Sequence, residues 1–212
     1  LIAMSFSYLL NAQSFEWTVD YGGQNIDKAT DIKRDSLGNL YVIGTFRDTL
    51  QFDTITLVSD GSDDAFFAKF DSLGSVVWAK KLSSVGNEEG FAIGLDTMLN
   101  VYITGTFQNT VDFGGTSLSV VSNSFNNLFH AKYDNNGNLT WVNRIYLPNL
   151  DVNSILFKSL DMATAKDGTT YLTGAFQASV EFGTSTLSNN GSFIRTRVWI
   201  KNRKSRSRKR DI

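Results

Sequence analysis

One six-residue pattern occurs three times in this chain, and that self-similarity constrains the fold more than any other feature. The copies are Tyr41-Val42-Ile43-Gly44-Thr45-Phe46, Tyr102-Ile103-Thr104-Gly105-Thr106-Phe107 and Tyr171-Leu172-Thr173-Gly174-Ala175-Phe176. Their tyrosines recur at a nearly constant interval, and a phenylalanine (Phe52, Phe113, Phe182) follows each at one fixed distance. A second block keeps the same rhythm. Phe66-Phe67-Ala68-Lys69-Phe70-Asp71 corresponds to Phe129-His130-Ala131-Lys132-Tyr133-Asp134, and each runs through a glycine-containing turn to Trp78 or Trp141. Trp17 precedes Trp78 by the same interval that separates Tyr41 from Tyr102. Phe15 to Val19 is therefore expected to be an outermost strand that joins a last unit and not its own.

Each unit reads as about four short strands. In order these are the Tyr-x-x-Gly-Thr-Phe strand, a strand around Phe52 or Phe113, the Phe-x-Ala-Lys strand and the tryptophan strand. The turns Asp71-Ser72-Leu73-Gly74 and Asp134-Asn135-Asn136-Gly137-Asn138 supply residues suited to positive φ. Four antiparallel strands in each repeat fit a propeller blade, whereas a sandwich does not repeat its own sequence at such a period. Leu40 to Phe46 carries apolar residues on both faces, as a sheet covered on both sides requires. Gly44, Gly105 and Gly174 stand in mid-strand, which predicts close backbone approach near a crowded axis. The expected fold is all-β: a partial β-propeller of about three four-stranded antiparallel blades, the last incomplete. The repeats occupy residues 13–194, with blades at about 24–82, 85–146 and 159–194. The Tyr-x-x-Gly-Thr-Phe strand, first in each blade on this reading, is expected at 39–46, 100–107 and 169–176.

The run Asp35-Ser36-Leu37-Gly38-Asn39-Leu40-Tyr41-Val42-Ile43-Gly44, then Asp64-Ala65-Phe66-Phe67-Ala68-Lys69-Phe70-Asp71, then Trp78-Ala79 resembles the SBBP β-propeller repeat family of exported bacterial proteins. The resemblance covers roughly residues 15–194. The second copy departs from it with Met98-Leu99 where Leu37-Gly38 stand, and the third with Asp167-Gly168-Thr169. It implies a blade fold, further blades and, in many members, a cell-surface sorting domain.

The two ends differ from the repeats. Leu1 to Leu10 form a short apolar run followed by Asn11-Ala12-Gln13, which reads as the remnant of a signal peptide over residues 1–12 in a chain that begins inside its gene. A buried N-terminal strand is the competing reading. Residues 195–212 are expected to be a basic, non-repeat tail with nine of the 20 Lys and Arg and one acid, Asp211. Phe193-Ile194 is placed at the register of Phe66-Phe67, so the abrupt switch to Arg, Lys and Ser reads as a frameshifted or misread end. A basic arm for nucleic acid and an ordinary solvated tail are the alternatives. Without the tail the net charge is −9, so the body has no general attraction for nucleic acid or anionic membrane.

No catalytic, cofactor-binding or metal residue is assigned. With no cysteine, disulfides, thiolate zinc sites and thiol nucleophiles are excluded. His130 is the single histidine and occupies the register of Phe67, which favours packing over catalysis. Asp60-Gly61-Ser62-Asp63-Asp64 and Asp134 to Asn138 offer oxygens suited to calcium, but without the spacing of a dedicated loop, and Asx turns account for them. Glu88-Glu89 could serve as paired carboxylates for glycoside cleavage. The preceding copy has Asp27-Lys28 in that register, so the pair is not shared. The expectation is a non-catalytic, secreted or cell-surface module that binds a protein or a glycan or acts as a scaffold, without cofactor, monomeric at full length. The alternative is a fragment of a propeller hydrolase or lyase whose active-site blades lie elsewhere. Three blades leave apolar end faces and open edges, so the chain alone is expected to self-associate.

Overall fold

The computed structural model describes residues 18–82, 84–120, 127–145, 161–174, 179–182, 185–188 and 200–202. Among these there is no helix, and so none long and apolar enough to cross a membrane. The first unit comprises β1 (Lys28–Arg34), β2 (Leu40–Phe46), β3 (Thr49–Gln51), β4 (Thr56–Val58), β5 (Asp64–Phe70) and β6 (Val76–Leu82). The second repeats it with β7 (Glu89–Leu95), β8 (Val101–Phe107), β9 (Thr110–Asp112), β10 (Ser117–Ser119), β11 (Asn127–Tyr133) and β12 (Leu139–Ile145). The third contains β13 (Asp161–Thr164), β14 (Thr170–Thr173), β15 (Ser179–Phe182), β16 (Ser185–Ser188) and β17 (Ile200–Asn202).

Two antiparallel four-stranded sheets result, β1-β2-β5-β6 and β7-β8-β11-β12, with a three-stranded sheet β13-β14-β17. This is an all-β fold of repeated antiparallel sheets. The order of strands within each blade corrects the sequence reading. The Tyr-x-x-Gly-Thr-Phe strand is second in its sheet, because β1, β7 and β13 precede it. The strand expected around Phe52 or Phe113 is not in the blade at all. It is one arm of a separate two-stranded hairpin, β3-β4 or β9-β10. A short strand ending just before the phenylalanine cannot match the full-length ladder that β2 forms with β5.

The third unit adds a feature that the sequence reading did not include. Backbone pairing sets Tyr171 opposite Lys201, as Tyr41 is opposite Lys69 and Tyr102 opposite Lys132. Residues 200–202, expected in the non-repeat tail, thus pair in the repeat register. The interval from Tyr102 to Lys132 equals that from Tyr171 to Lys201, which explains the pairing. Phe193, Ile194, the run 1–12, Phe15 to Trp17 and Ala175-Phe176 lie outside the described residues. Thr18 and Val19, the described part of the expected outermost strand, are not in a strand. Beyond them Tyr21 stacks on Phe70 at 5.5 Å between ring centroids, and Gly22 bridges Gln51.

The core lies between blades. Tyr41, Ile43 and Phe67 on one face of the first sheet meet Ile93, Ile103, Phe113, Phe129 and Tyr133 of the second, all at most 2% exposed. Phe67 and Tyr133 bring their ring centroids to 4.5 Å. Side chains of this size contribute roughly 1.5–3 kcal/mol each when fully buried. The hairpin places Phe113 in this seam, against Phe129 at 5.1 Å, which is why it is buried without joining the blade. Inner strands also bond across the seam: Thr30 donates to the Gly90 carbonyl at 2.7 Å, and the Ile93 N–H donates to Asp31 at 3.0 Å.

The mid-strand glycines do mark crowding, although within the blade. A Cβ on Gly44 would lie 2.1 Å from the Lys28 carbonyl and 2.6 Å from the Phe66 ring, and one on Gly105 2.0 Å from the Glu89 carbonyl. Close approach between blades occurs instead at Gly90, where a Cβ would meet Ile43 at 2.5 Å.

Candidate functional site

Each blade has two ends, and both carry polar chemistry. At one end the β1–β2 and β7–β8 turns are built by an aspartate. Asp35 Oδ1 accepts the Leu37 and Asn39 N–H groups at 2.9 Å, and Gly38 takes φ 90°. Asp96 does the same for Met98 and Asn100, and there Leu99 adopts φ 59°, so the turn keeps its geometry despite the loss of glycine.

From these turns a polar seam runs between the blades. Asn135, in the β11–β12 turn, accepts from both Lys69 Nζ at 2.7 Å and Tyr41 OH at 2.8 Å of the first blade. The Trp78 indole N–H donates to the Asn135 carbonyl at 3.1 Å. In the second blade Tyr102 OH donates to Asp96 at 3.1 Å, with Lys132 Nζ 3.8 Å from the same carboxylate. Burial pushes the Asp35 carboxyl up, but hydrogen bonds from Asn39 and Leu37 and the Lys69 charge outweigh it, leaving it below its ordinary value. Burial and the adjacent aspartates hold the Tyr41 and Tyr102 phenols well above their ordinary range. These Asp-Tyr-Lys groups repeat in register, and that of the first blade joins it to the second through Asn135.

At the opposite end lies a groove of about 190 Å³ lined by Lys28, Thr30, Arg47, Asp63, Glu89 and Phe91, among others. Arg47 pairs with Asp63 at 2.7 Å, and both remain partly exposed. Glu88, the neighbour of Glu89 in the chain, is 0% exposed and accepts from the Ser84 N–H at 2.8 Å, the Ser84 hydroxyl at 2.7 Å and the Gln108 N–H at 3.3 Å. Burial pushes this carboxyl up to about 7 against those opposing hydrogen bonds. Asp27 holds the equivalent place one repeat earlier, accepting the Gly23 N–H at 2.6 Å. The acid at this register therefore closes the loop that enters each inner strand.

The other candidates from the sequence are placed apart. His130 is 3% exposed, with Nδ1 3.2 Å from the Ile103 carbonyl and Nε2 2.9 Å from the Thr170 hydroxyl in the third unit. Burial pushes it down to about 4, so it is neutral and links the second sheet to the third. Glu88 and Glu89 diverge: the first is fully buried and the second lines the groove. Asp60 pairs with Lys81 at 2.8 Å, Asp63 with Arg47, and Asp64 accepts the Asp60 N–H at 2.9 Å, so these acids do not converge. Asp134 uses its carboxylate on the N–H groups of Asn136 and Asn138 and on the Asn138 side chain. Among the described residues no three His, Asp or Glu side chains are grouped to hold a metal ion. Sequence reasoning missed the Ser84–Glu88 network, although Asp27 and Glu88 are both acids at one register of the repeat.

No protein-family model matches the chain. It is similar to an uncharacterized WD repeat-containing protein of Acanthamoeba polyphaga mimivirus, 24% identical over 112 residues that cover 44% of this chain. The match spans 8% of that protein's length. With the repeated four-stranded sheets, this likeness supports a β-propeller-like repeat.

Proposed function

We propose that this chain is a non-catalytic β-propeller repeat module of the SBBP type, exported, and binding a protein or a glycan through the groove at the inner-strand end. The observation that carries this reading is where the chemistry goes. Residues that repeat in register, such as Asp35 and Asp96 or Lys69 and Lys132, are engaged in turns and blade seams. Residues around the groove differ between copies: Lys28 against Glu89, Arg47 against Gln108. Repetition suits a scaffold, and variation on one rim suits recognition. The groove offers a cation, a carboxylate and a hydroxyl beside an aromatic ring, groups that suit sugar hydroxyls or a short peptide.

The hydrolase or lyase alternative needs an acid or base open to substrate. Glu88 and His130 have shifted proton affinities but are sealed from solvent and bonded to their own chain, and of the two acids that open into the groove, Glu89 and Asp63, the second is paired with Arg47. The name of the WD repeat relative is in keeping with a repeat module and specifies no ligand. Export rests on Leu1 to Ala12 and on the SBBP resemblance.

Glycan and peptide arrays probed with the whole chain test the reading, with Lys28→Ala/Arg47→Ala as comparison. Binding to one ligand class that the double variant loses is the expected result. Ligands bound equally by both forms, or turnover of chromogenic glycosides or esters by the wild type, would refute it. Fractionation of the producing cells tests export separately.

A further inference from the structure

The turn that ties the second blade to the first carries a reactive pair. In Asp134-Asn135-Asn136-Gly137-Asn138 each asparagine has a different duty. Asn135 is spent on the seam, its side-chain oxygen accepting from Lys69 Nζ and Tyr41 OH and its carbonyl from the Trp78 indole. Asn138 donates its side-chain amide to Asp134 Oδ2 at 3.0 Å. Asn136 is exposed, and its side-chain amide has no hydrogen-bond partner among the described residues. It is also the one asparagine among them that precedes a glycine. A side chain on the following residue shields the backbone nitrogen, whereas glycine leaves it open to the Asn136 Cγ.

We propose that Asn136 is a site of spontaneous modification, converting to aspartate and isoaspartate, and that isoaspartate there loosens the first seam. The Gly137 nitrogen gives up its proton and bonds to the Asn136 Cγ, and ammonia leaves, which closes a cyclic imide. Water then opens the ring. Opening between Cγ and nitrogen gives aspartate on an unaltered backbone. Opening at the backbone carbonyl leaves the chain running through Cγ, longer by a methylene, with the former carbonyl as a free carboxylate. Water in and ammonia out balance the reaction, and nothing is oxidised or reduced.

The fold sets both the rate and the consequence. The Gly137 N–H donates to the Asp134 carbonyl at 3.0 Å, and Asp134 Oδ1 accepts the Asn136 and Asn138 N–H groups at 2.8 and 2.9 Å. The nitrogen is released only when this turn opens, so the folded chain reacts more slowly than an unfolded one. Gly137 takes φ 76° and sits where a Cβ would stand 3.2 Å from Lys80 and 3.4 Å from Trp78. A methylene added between Asn136 and Gly137 cannot keep that packing together with the Asp134–Gly137 bond, and Asn135 is carried by the same turn. In the first blade the matching turn has Leu73 before Gly74, which cannot cyclise. The reaction needs water alone and leaves the groove untouched, so it is independent of the binding function proposed above.

Incubation of the whole chain at mildly alkaline pH, folded and in urea, followed by tandem mass spectrometry, is the test. Conversion at Asn136 is expected in both states, roughly tenfold or more slower in the folded one. The converted fraction of the folded chain, isolated by anion exchange, should show a folding equilibrium weakened roughly tenfold or more in urea unfolding, as loss of the Asn135 contacts implies. Asn136→Leu, which copies the first blade, should keep its original stability through the same incubation. Fresh Asn136→Asp, which has the charge without the longer backbone, should match the unaged wild type. A folded chain unmodified at Asn136 while the unfolded chain is converted would overturn the proposal. So would a converted fraction no weaker than aged Asn136→Leu, or fresh Asn136→Asp as weak as that fraction.

Discussion

Glu88 and His130 should act on this protein's stability between pH 5 and 8 with two steep slopes of opposite sign. Glu88 is 0% exposed and burial pushes its carboxyl up from 4.5 to about 7. A raised acid stabilises the fold fully below its unfolded value, and that contribution is lost as pH climbs through the folded one. Converting the shift at 1.36 kcal/mol per unit gives about 3 kcal/mol, most of which falls between pH 5 and 8. When Glu88 is protonated it can donate to the Ser84 hydroxyl, whose single proton then turns from Glu88 to the Gln108 carbonyl at 3.1 Å. His130 works the other way. Burial pushes it down from 6.5 to about 4, so the neutral ring stabilises the fold above 6.5 and loses that contribution as pH falls toward 4. Between pH 8 and 5 the loss is about 2 kcal/mol. The two slopes are opposite in sign and similar in size, and the chain has no second histidine to add to them. Urea unfolding followed by tryptophan fluorescence, at fixed ionic strength from pH 5 to 8, reads this directly. Glu88→Gln should make stability rise with pH and His130→Phe should make it fall, each by about 2 kcal/mol. A Glu88→Gln profile as flat as the wild type would refute the assignment.

Three further outcomes follow from the geometry. Gly105→Ala places a Cβ 2.0 Å from the Glu89 carbonyl and 2.7 Å from the Phe129 ring, and should cost about 1–3 kcal/mol or more in thermal or urea unfolding. Leu99→Gly relieves a left-handed conformation at φ 59° and should raise the melting temperature, with a net gain of roughly 0.5–1 kcal/mol after the larger unfolded-state entropy of glycine. Asn135→Ala removes the acceptor shared by Lys69 and Tyr41 across the seam, and urea unfolding should show a loss of about 1–3 kcal/mol.

How far the fold was legible depended on whether a strand's residues pack against something distinctive. β2, β5 and their copies could be read because Tyr, Gly, Phe and Lys recur at fixed positions on both faces. β1 could not: Lys28-Ala29-Thr30-Asp31-Ile32-Lys33-Arg34 has no apolar alternation, and its counterpart β7 carries Gly90 and Gly94. Both strands are bulged and bond by backbone and by Thr30 and Asp31, so side-chain patterning had little to mark. The hairpins failed for the opposite reason. Phe52 and Phe113 are apolar and regularly spaced, which looks like a blade strand, yet they are buried by packing onto a sheet face from the hairpin, Phe113 within the seam and Phe52 among Phe46, Phe66 and Phe70 of its own unit. The roles of His130 and Glu88 depend on contacts to Thr170, far along the chain, and to Ser84 and Gln108, which no local pattern reveals.

Internal repetition also separates what holds this chain together from what it could recognise. A side chain spent on a turn or a seam is fixed by geometry, and Tyr41 and Lys69, which reach Asn135 of the next blade, and Tyr102 and Lys132, which meet Asp96 of their own, are of this kind. Tyr171, paired with Lys201 along the ladder, extends the same register into the third unit. A residue free of that duty can differ from copy to copy. Lys28 and Glu89 occupy equivalent places at the start of their inner strands with opposite charge, and both face the groove. Exchange of the two charges, Lys28→Glu with Glu89→Lys, preserves net charge and blade packing while inverting the field across the groove. Stability should therefore stay within about 0.5 kcal/mol of wild type, as for surface positions generally, while ligand preference changes. A large loss of stability would place these residues among the joints, and the separation of scaffold from recognition along the repeat would fail.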